Sequence, residues 1–249
     1  PGALRRVDLR PPPEGTMDAL ALWTRNPAPL LPLIPEWERR GIRTVWLVTL
    51  TGYPAWLEPA VPPPEEALRA IEALSSLVGR ERIAWRYDPV FACPARGMDG
   101  AYHRENFARL APRLRNFVRH GVVSLYDDYA KARRKLAAAD APFDPESALA
   151  AVRAVAEVAR EEGFPLQSCC EELAAEGIPS GGCISGPWLD GLWNLGIGGA
   201  ADQGQREGCL CAPSVDIGAY GTCRHGCLYC YAAGNAPHTA GDPASESLV

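Results

Sequence analysis

Along the first two thirds of the chain, short apolar runs alternate with longer amphipathic stretches. Thr44-Val-Trp-Leu-Val-Thr-Leu50, Ile83-Ala-Trp85, Val122-Val-Ser-Leu125 and Pro165-Leu-Gln-Ser168 follow Gly41, Gly79, Gly121 and Gly163, glycines spaced 38, 42 and 42 residues apart. That interval suits one βα unit with its loops, and a glycine just past a helix end supplies the left-handed residue that closes the helix. Between the runs, Leu68, Ile71, Leu74 and Leu77 follow Pro64 at steps of three. Asp144 and Pro145 precede Leu149, Val152, Val155 or Ala156, and Ala159, as an N-cap and first-turn proline precede a helix. With Ala19 to Thr24 as the first strand, the pattern predicts strands at about 19–24, 44–50, 82–87, 122–126 and 164–168. Runs apolar on both faces, alternating with helices, predict an α/β protein with a parallel (βα) partial barrel of TIM-like kind. Residues 1–168 form the expected barrel core, 169–233 a cysteine-rich segment capping it, and 234–249 a tail expected to be disordered.

In parallel βα folds side chains at the carboxyl ends of strands converge on one face. The predicted strand ends are polar here: Trp23-Thr-Arg-Asn26, Thr51-Gly-Tyr53, Arg86-Tyr-Asp88, Ser124 with Tyr126-Asp-Asp128, and Cys170-Glu171. Asn26, Tyr53, Arg86 and Asp88 are the candidate catalytic residues, each with turn or capping chemistry as the plainer reading. Arg86 and Asp88 are expected to point to opposite sides of their strand, so that only one faces the barrel interior. Trp23 and Trp85, at strand ends, are candidates to line the pocket. His103 and His120 are read as surface or packing residues.

Charge removes some function classes. The chain carries 25 basic and 30 acidic side chains, a formal charge of −5, and 47% apolar residues in 249. This excludes disorder for most of the length and provides no broad basic face, so nucleic acid is not the default partner. No window approaches a membrane span, and the opening PGALRRVDLR lacks the apolar core of a signal peptide. A cytoplasmic protein without a membrane partner is expected. The chain starts at Pro1, so a preceding segment of unknown length is expected to be missing.

Cysteine changes the picture most. Eight of the nine cysteines fall after residue 168, clustered as metal or redox thiols are in a cytosolic chain. Cys223-Arg-His-Gly-Cys227-Leu-Tyr-Cys230 places three thiols within eight residues. Such a loop can wrap three corners of a cubane iron–sulfur cluster and leave the fourth iron open. The alternative is a zinc knuckle completed by His225 or His238. Cys170, Cys183, Cys209 and Cys211 form a possible second metal site, against the alternative that Cys170 and Cys183 are buried small apolar residues. Cys93 and Cys169 are read as structural, and His225 as a group able to hydrogen-bond a cluster sulfide.

The Cys-x3-Cys-x2-Cys spacing, with Tyr229 before the last cysteine, is similar to the cluster loop of radical S-adenosylmethionine (SAM) enzymes. The wider run Gln205-Arg206, Cys209-Leu-Cys211, Ser214 to Tyr220, then Cys223 to Ala232, resembles the bacterial family numbered 1848 among the domains of unknown function. So do Trp23-Thr-Arg-Asn-Pro27, Leu50-Thr-Gly-Tyr-Pro54 and Trp85-Arg-Tyr-Asp-Pro89, and the likeness spans about residues 19 to 235. The resemblance implies a radical-SAM-like partial barrel and a [4Fe–4S] cluster on Cys223, Cys227 and Cys230 whose free iron binds SAM. It also implies Tyr229 near the adenine, and reductive cleavage of SAM to a 5′-deoxyadenosyl radical that attacks a small-molecule substrate. An electron donor such as flavodoxin or ferredoxin is then required. In radical SAM enzymes the cluster loop follows the first strand, and a Gly-Gly-Glu often holds the SAM amino group; here the loop follows the last predicted strand, and neither Gly181-Gly182 nor Gly198-Gly199 precedes an acid. The usual barrel has six strands, so one is expected to be lost before Pro1, and a C-terminal loop can reach the same mouth across the gap between first and last strands. A non-enzymatic iron–sulfur or zinc protein, serving electron transfer, sensing or structure, is the rival reading.

Overall fold

The computed structural model describes residues 15–202, 204–218, 221 and 223–232, with Asp8, Arg10 and Pro12 before them. The tail expected from 234 onward lies outside the described residues, as do Ala219 and Tyr220 of the resembling run. Six parallel strands follow one another across a single sheet in the order β1 to β6. They are β1 (Leu20–Thr24), β2 (Thr44–Thr49), β3 (Ile83–Arg86), β4 (His120–Val123), β5 (Leu166–Cys169) and β6 (Ser180–Gly181). The helices are α1 (Ile34–Arg39), α2 (Pro64–Val78), α3 (Gly100–Leu114), α4 (Ala130–Ala138), α5 (Pro145–Glu161) and α6 (Gly186–Trp193). Among the described residues β1 and β6 do not pair, so the sheet is open rather than a closed barrel. The five expected strands stand within three residues of their expected bounds, and the sixth is the two-residue β6 on the far edge. No described helix is long and apolar enough to cross a membrane.

Strand alternation sorts the core into two layers. Trp46, Val48, Ile83, Trp85 and Val123 share one cluster with Leu68, Ile71 and Leu74 of α2, Phe107 and Leu110 of α3, and Val152 and Val155 of α5. Val45, Leu47, Ala84, Val122 and Cys169 face the other way and pack with Cys183, Ile184, Trp188, Leu189, Cys211 and Ala212. The long helices therefore cover one face, and α6 with the cysteine-rich segment covers the other. Full burial of Val45, Trp46, Leu47 and Val48 follows from this double cover.

Three expectations change. In α2 it is Val78, not Leu77, that joins the core; Leu77 is 43% exposed. Three steps of three residues turn a helix position by about half a turn relative to its start, so a strict three-residue stripe runs off the buried face. Gly41, Gly79 and Gly163 have the expected positive φ, but Gly121 lies inside β4 without one. It is needed for space: a Cβ there would lie 2.8 Å from Leu166 Cδ1 and 2.9 Å from Phe164 Cε1. Trp85 does not line a pocket; its ring stacks on Phe107 at 4.8 Å within the helix-covered layer, and its indole N–H donates to the Leu50 carbonyl. As expected, Asp144 caps α5 by accepting from the Ser147 N–H at 2.7 Å, ahead of Pro145 in the first turn.

Candidate metal centres

The Cys223–Cys230 loop is fastened to the segment that follows β2. Leu228 N–H donates to the Leu57 carbonyl at 3.0 Å, and Ala60 N–H donates to the His225 carbonyl at 3.1 Å. His225 donates from Nδ1 to the Ala60 carbonyl at 2.9 Å; a carbonyl only accepts, so Nδ1 carries the proton and His225 anchors the loop. The deepest anchor is Tyr229. Its hydroxyl donates to Glu58 Oε1 and accepts from Arg25 Nη2. Arg25 and Glu58 form an ion pair at 3.0 Å, and Thr51 Oγ1 donates to Glu58 at 2.7 Å. The Tyr229 ring stacks on Phe91 and meets Tyr53 edge-on, leaving the residue 7% exposed. Burial raises the Tyr229 hydroxyl far above its ordinary pKa, so it remains a donor.

The loop's three thiols differ in access: Cys227 is buried, Cys230 half-buried and Cys223 exposed. Burial pushes the Cys227 thiol up to about 11 against the pull of Arg25, and Cys230 and Cys223 lie close enough to add to the rise. Arg25 follows β1 and Glu58 follows β2, so the loop sits over the carboxyl ends of the first two strands.

A second sulfur group lies on the sheet's other edge. Cys169 ends β5, Cys183 follows β6, and Cys211 belongs to a segment held by the Ala212 N–H to Ile184 carbonyl bond at 2.9 Å. Their sulfurs all lie within 4.8 Å of one another, and the Cys183 thiol donates to Cys169 Sγ at 2.9 Å. The nearby Cys169 and Cys183 thiols hold Cys211 well below the usual thiol range, while Cys169 is driven up by its closeness to Cys183 and Cys211 and by burial. Cys209 and Cys170 are half-buried and pack against the cluster that contains the trio. Cys169, read from sequence as packing, thus stands in the buried trio, and Cys170 stands beside it. Cys170 has a positive φ of 57°, which turns the chain out of β5.

Between the two sulfur groups stand Arg86 and Asp88. They do not point to opposite sides: two residues apart, they return to the same face, and Arg86 Nη2 donates to Asp88 Oδ2. Ser124, after β4, donates to the other carboxylate oxygen. Burial opposes the charge of Arg86, but Asp88, Cys183 and Cys169 hold it protonated. Asp88 in turn supports the charge of Arg25.

The sequence matches the family described as Domain of unknown function (DUF1848) over residues 2–232. The chain belongs to this family. No curated protein and no solved structure matches it.

Within this DUF1848 chain the remaining sequence candidates have structural tasks. Asn26 Oδ1 accepts from Ala28 N–H at 3.1 Å, starting the turn after β1. Tyr53 is buried, donating to the Pro89 carbonyl at 2.8 Å. Burial raises its pKa well above normal, so the hydroxyl keeps its proton. His103 and His120 are both buried. Glu58 was missed, because a lone acid in a proline-rich loop carries no signal of its own until Arg25 and Tyr229 surround it.

Proposed function

We propose that Cys223, Cys227 and Cys230 hold a [4Fe–4S] cluster in a radical-SAM-like partial barrel, and that the protein is an enzyme acting on a small polar molecule at the carboxyl face of the sheet. The observation that supports this most is the docking of the loop by Tyr229 between Arg25 and Glu58, which sets three thiols over the ends of β1 and β2. The donor set fits: three soft thiolates on one tight loop, one of them open to incoming ligand, suit an iron cluster with a vacant corner. When bound with SAM and reduced, such a cluster supplies radical initiation.

The chain's own residues do the rest. Arg25 and Glu58 keep the loop in place, and Cys227 shields one side of the site from water by its burial. Tyr229, being enclosed, offers an adenine its backbone rather than its ring. Asp88 and Arg86, held by Ser124, present a fixed pair of charges beside the site, able to orient a polar substrate. An electron carrier such as flavodoxin or ferredoxin fits the exposed Cys223 side.

Anaerobic reconstitution should load about four irons per chain, as a cubane requires. Dithionite with SAM should then release 5′-deoxyadenosine, and SAM should alter the reduced cluster's EPR spectrum. A loaded cluster that leaves SAM intact and its spectrum unchanged rejects the enzyme and leaves an electron-transfer or sensing protein. Zinc in place of iron on this loop rejects the cluster.

A further inference from the structure

We propose that Cys169, Cys183, Cys211 and Cys209 bind one zinc ion, in a site separate from the Cys223–Cys230 loop, that fastens β5, β6 and the 209–212 segment together on the face of the sheet that α6 covers. Three observations converge on it. The first is spacing. A zinc ion with Zn–S bonds near 2.3 Å sets its tetrahedral sulfurs about 3.8 Å apart. The cysteines of a cubane cluster stand roughly 6 to 7 Å apart. Sulfurs of Cys169, Cys183 and Cys211 all within 4.8 Å of one another match the single ion.

The second is the fourth donor. Cys209 lies two residues before Cys211 on the same segment and packs, half-buried, against the cluster that contains the trio. Four protein thiolates close the coordination sphere, the arrangement of a structural rather than a reactive zinc.

The third is charge. Four thiolates around one divalent cation leave a net negative centre, and a buried charge demands a partner. Arg86 supplies it: its guanidinium interacts with Cys183 and Cys169, and its buried Nε–H has no hydrogen-bond partner. Nη2 is taken by Asp88, so the orphaned Nε–H is free to donate to a ligand sulfur, as groups around metal ligands do.

The backbone is arranged for the approach. Gly182, next to Cys183, lies so close to the 209–212 segment that a Cβ there would stand 2.3 Å from the Leu210 carbonyl oxygen. Zinc at this point would tie together the edge where β6, only two residues long, contributes little pairing of its own.

The full chain should be purified with the loop thiols removed, as Cys223→Ser/Cys227→Ser/Cys230→Ser, and its metal measured by mass spectrometry. About one zinc per chain is expected. Adding Cys183→Ser should reduce it at least tenfold. Because that variant can fail for want of folding, cobalt substitution of the folded loop-less protein gives a second readout. An intense thiolate-to-cobalt charge-transfer band with tetrahedral d–d bands is expected, weakened when Cys209→Ser is added. Overturning results are a loop-less chain without zinc, cobalt spectra lacking thiolate bands, or an intact mass lower by two hydrogens that marks a Cys169–Cys183 disulfide in place of metal. The loop-less background keeps this outcome independent of the iron cluster: loss of iron tests one site, retention of zinc the other.

Discussion

Arg25 and Glu58 face each other at 3.0 Å from the ends of neighbouring strands, their side chains only 12% and 2% exposed. The pair is the floor on which the cysteine loop rests, since the Tyr229 hydroxyl contacts both partners. Removing one member of a buried pair leaves the other's charge unmatched in a poorly solvated place, which costs about 3–5 kcal/mol. Glu58→Gln should therefore lower unfolding free energy in urea by that order and release iron from the reconstituted loop. Arg25→Met/Glu58→Met should lose less stability than the two single changes combined, because no charge is stranded. Equal or additive losses would show that the ion pair is not the anchor.

Tyr229→Phe separates the ring from its hydroxyl. The ring still packs between Phe91 and Tyr53, while Glu58 loses one donor. A buried acceptor deprived of its partner costs about 1–3 kcal/mol. Unfolding in urea should show that loss, and limited proteolysis should cut the 223–230 loop faster. Unchanged proteolysis would place the loop's hold in the backbone bonds to Leu57 and Ala60 alone.

Much of the fold was legible because it depends on periodicity. Apolar runs of three to seven residues bracketed by glycine and helical stretches mark each βα unit, and the Asp144-Pro145 start of α5 needs only local chemistry. What failed to show was everything set by long-range contact or by exact phase. Leu77 and Val78 are adjacent and both apolar; only the 3.6-residue pitch decides which is buried. Arg86 and Asp88 share a face by simple alternation, which their nearness in sequence obscured. Cys169 and Cys170 differ by one position, and the choice between them rests on the chain's turn at Cys170 and on the arrival of Cys211 more than 40 residues later. The loop spacing Cys223, Cys227, Cys230 is local and so was readable; Glu58, which helps hold it, comes from far away and was not.

Gly182→Ala tests the approach of the two segments that carry Cys183 and Cys211. Its Cβ would meet the Leu210 carbonyl oxygen at 2.3 Å and the Cys211 nitrogen at 3.0 Å, backbone atoms that cannot rotate away. Overpacking of this kind costs about 1–3 kcal/mol. Thermal or urea unfolding should show the loss, with a fall in bound zinc in the loop-less background. Gly191→Ala, where no atom lies within 4 Å of the added carbon, serves as the neutral control.

Acid should weaken the fold through two buried imidazoles. His103 has both ring nitrogens engaged: Nε2–H donates to the Phe91 carbonyl at 3.0 Å, and Nδ1 accepts from the Tyr87 hydroxyl at 2.9 Å. The Tyr87 oxygen accepts from Asn106 Nδ2 at 3.0 Å, which fixes the direction of the chain of bonds. Burial lowers His103 to about 4, and burial, aided by Arg119, lowers His120 to about 4 as well. Both values lie below the 6.5 of an unfolded histidine, so the unfolded chain binds more protons in between and stability rises with pH across that window. Stability is thus at its full value above about pH 6.5 and declines as pH falls toward 4, by roughly 1.4 kcal/mol per group per pH unit. Urea midpoints at pH 7, 5.5 and 4.5 should fall in step, and His103→Gln, though less stable at pH 7, should show a shallower decline. A parallel decline in the variant would assign the acid sensitivity to carboxylates instead.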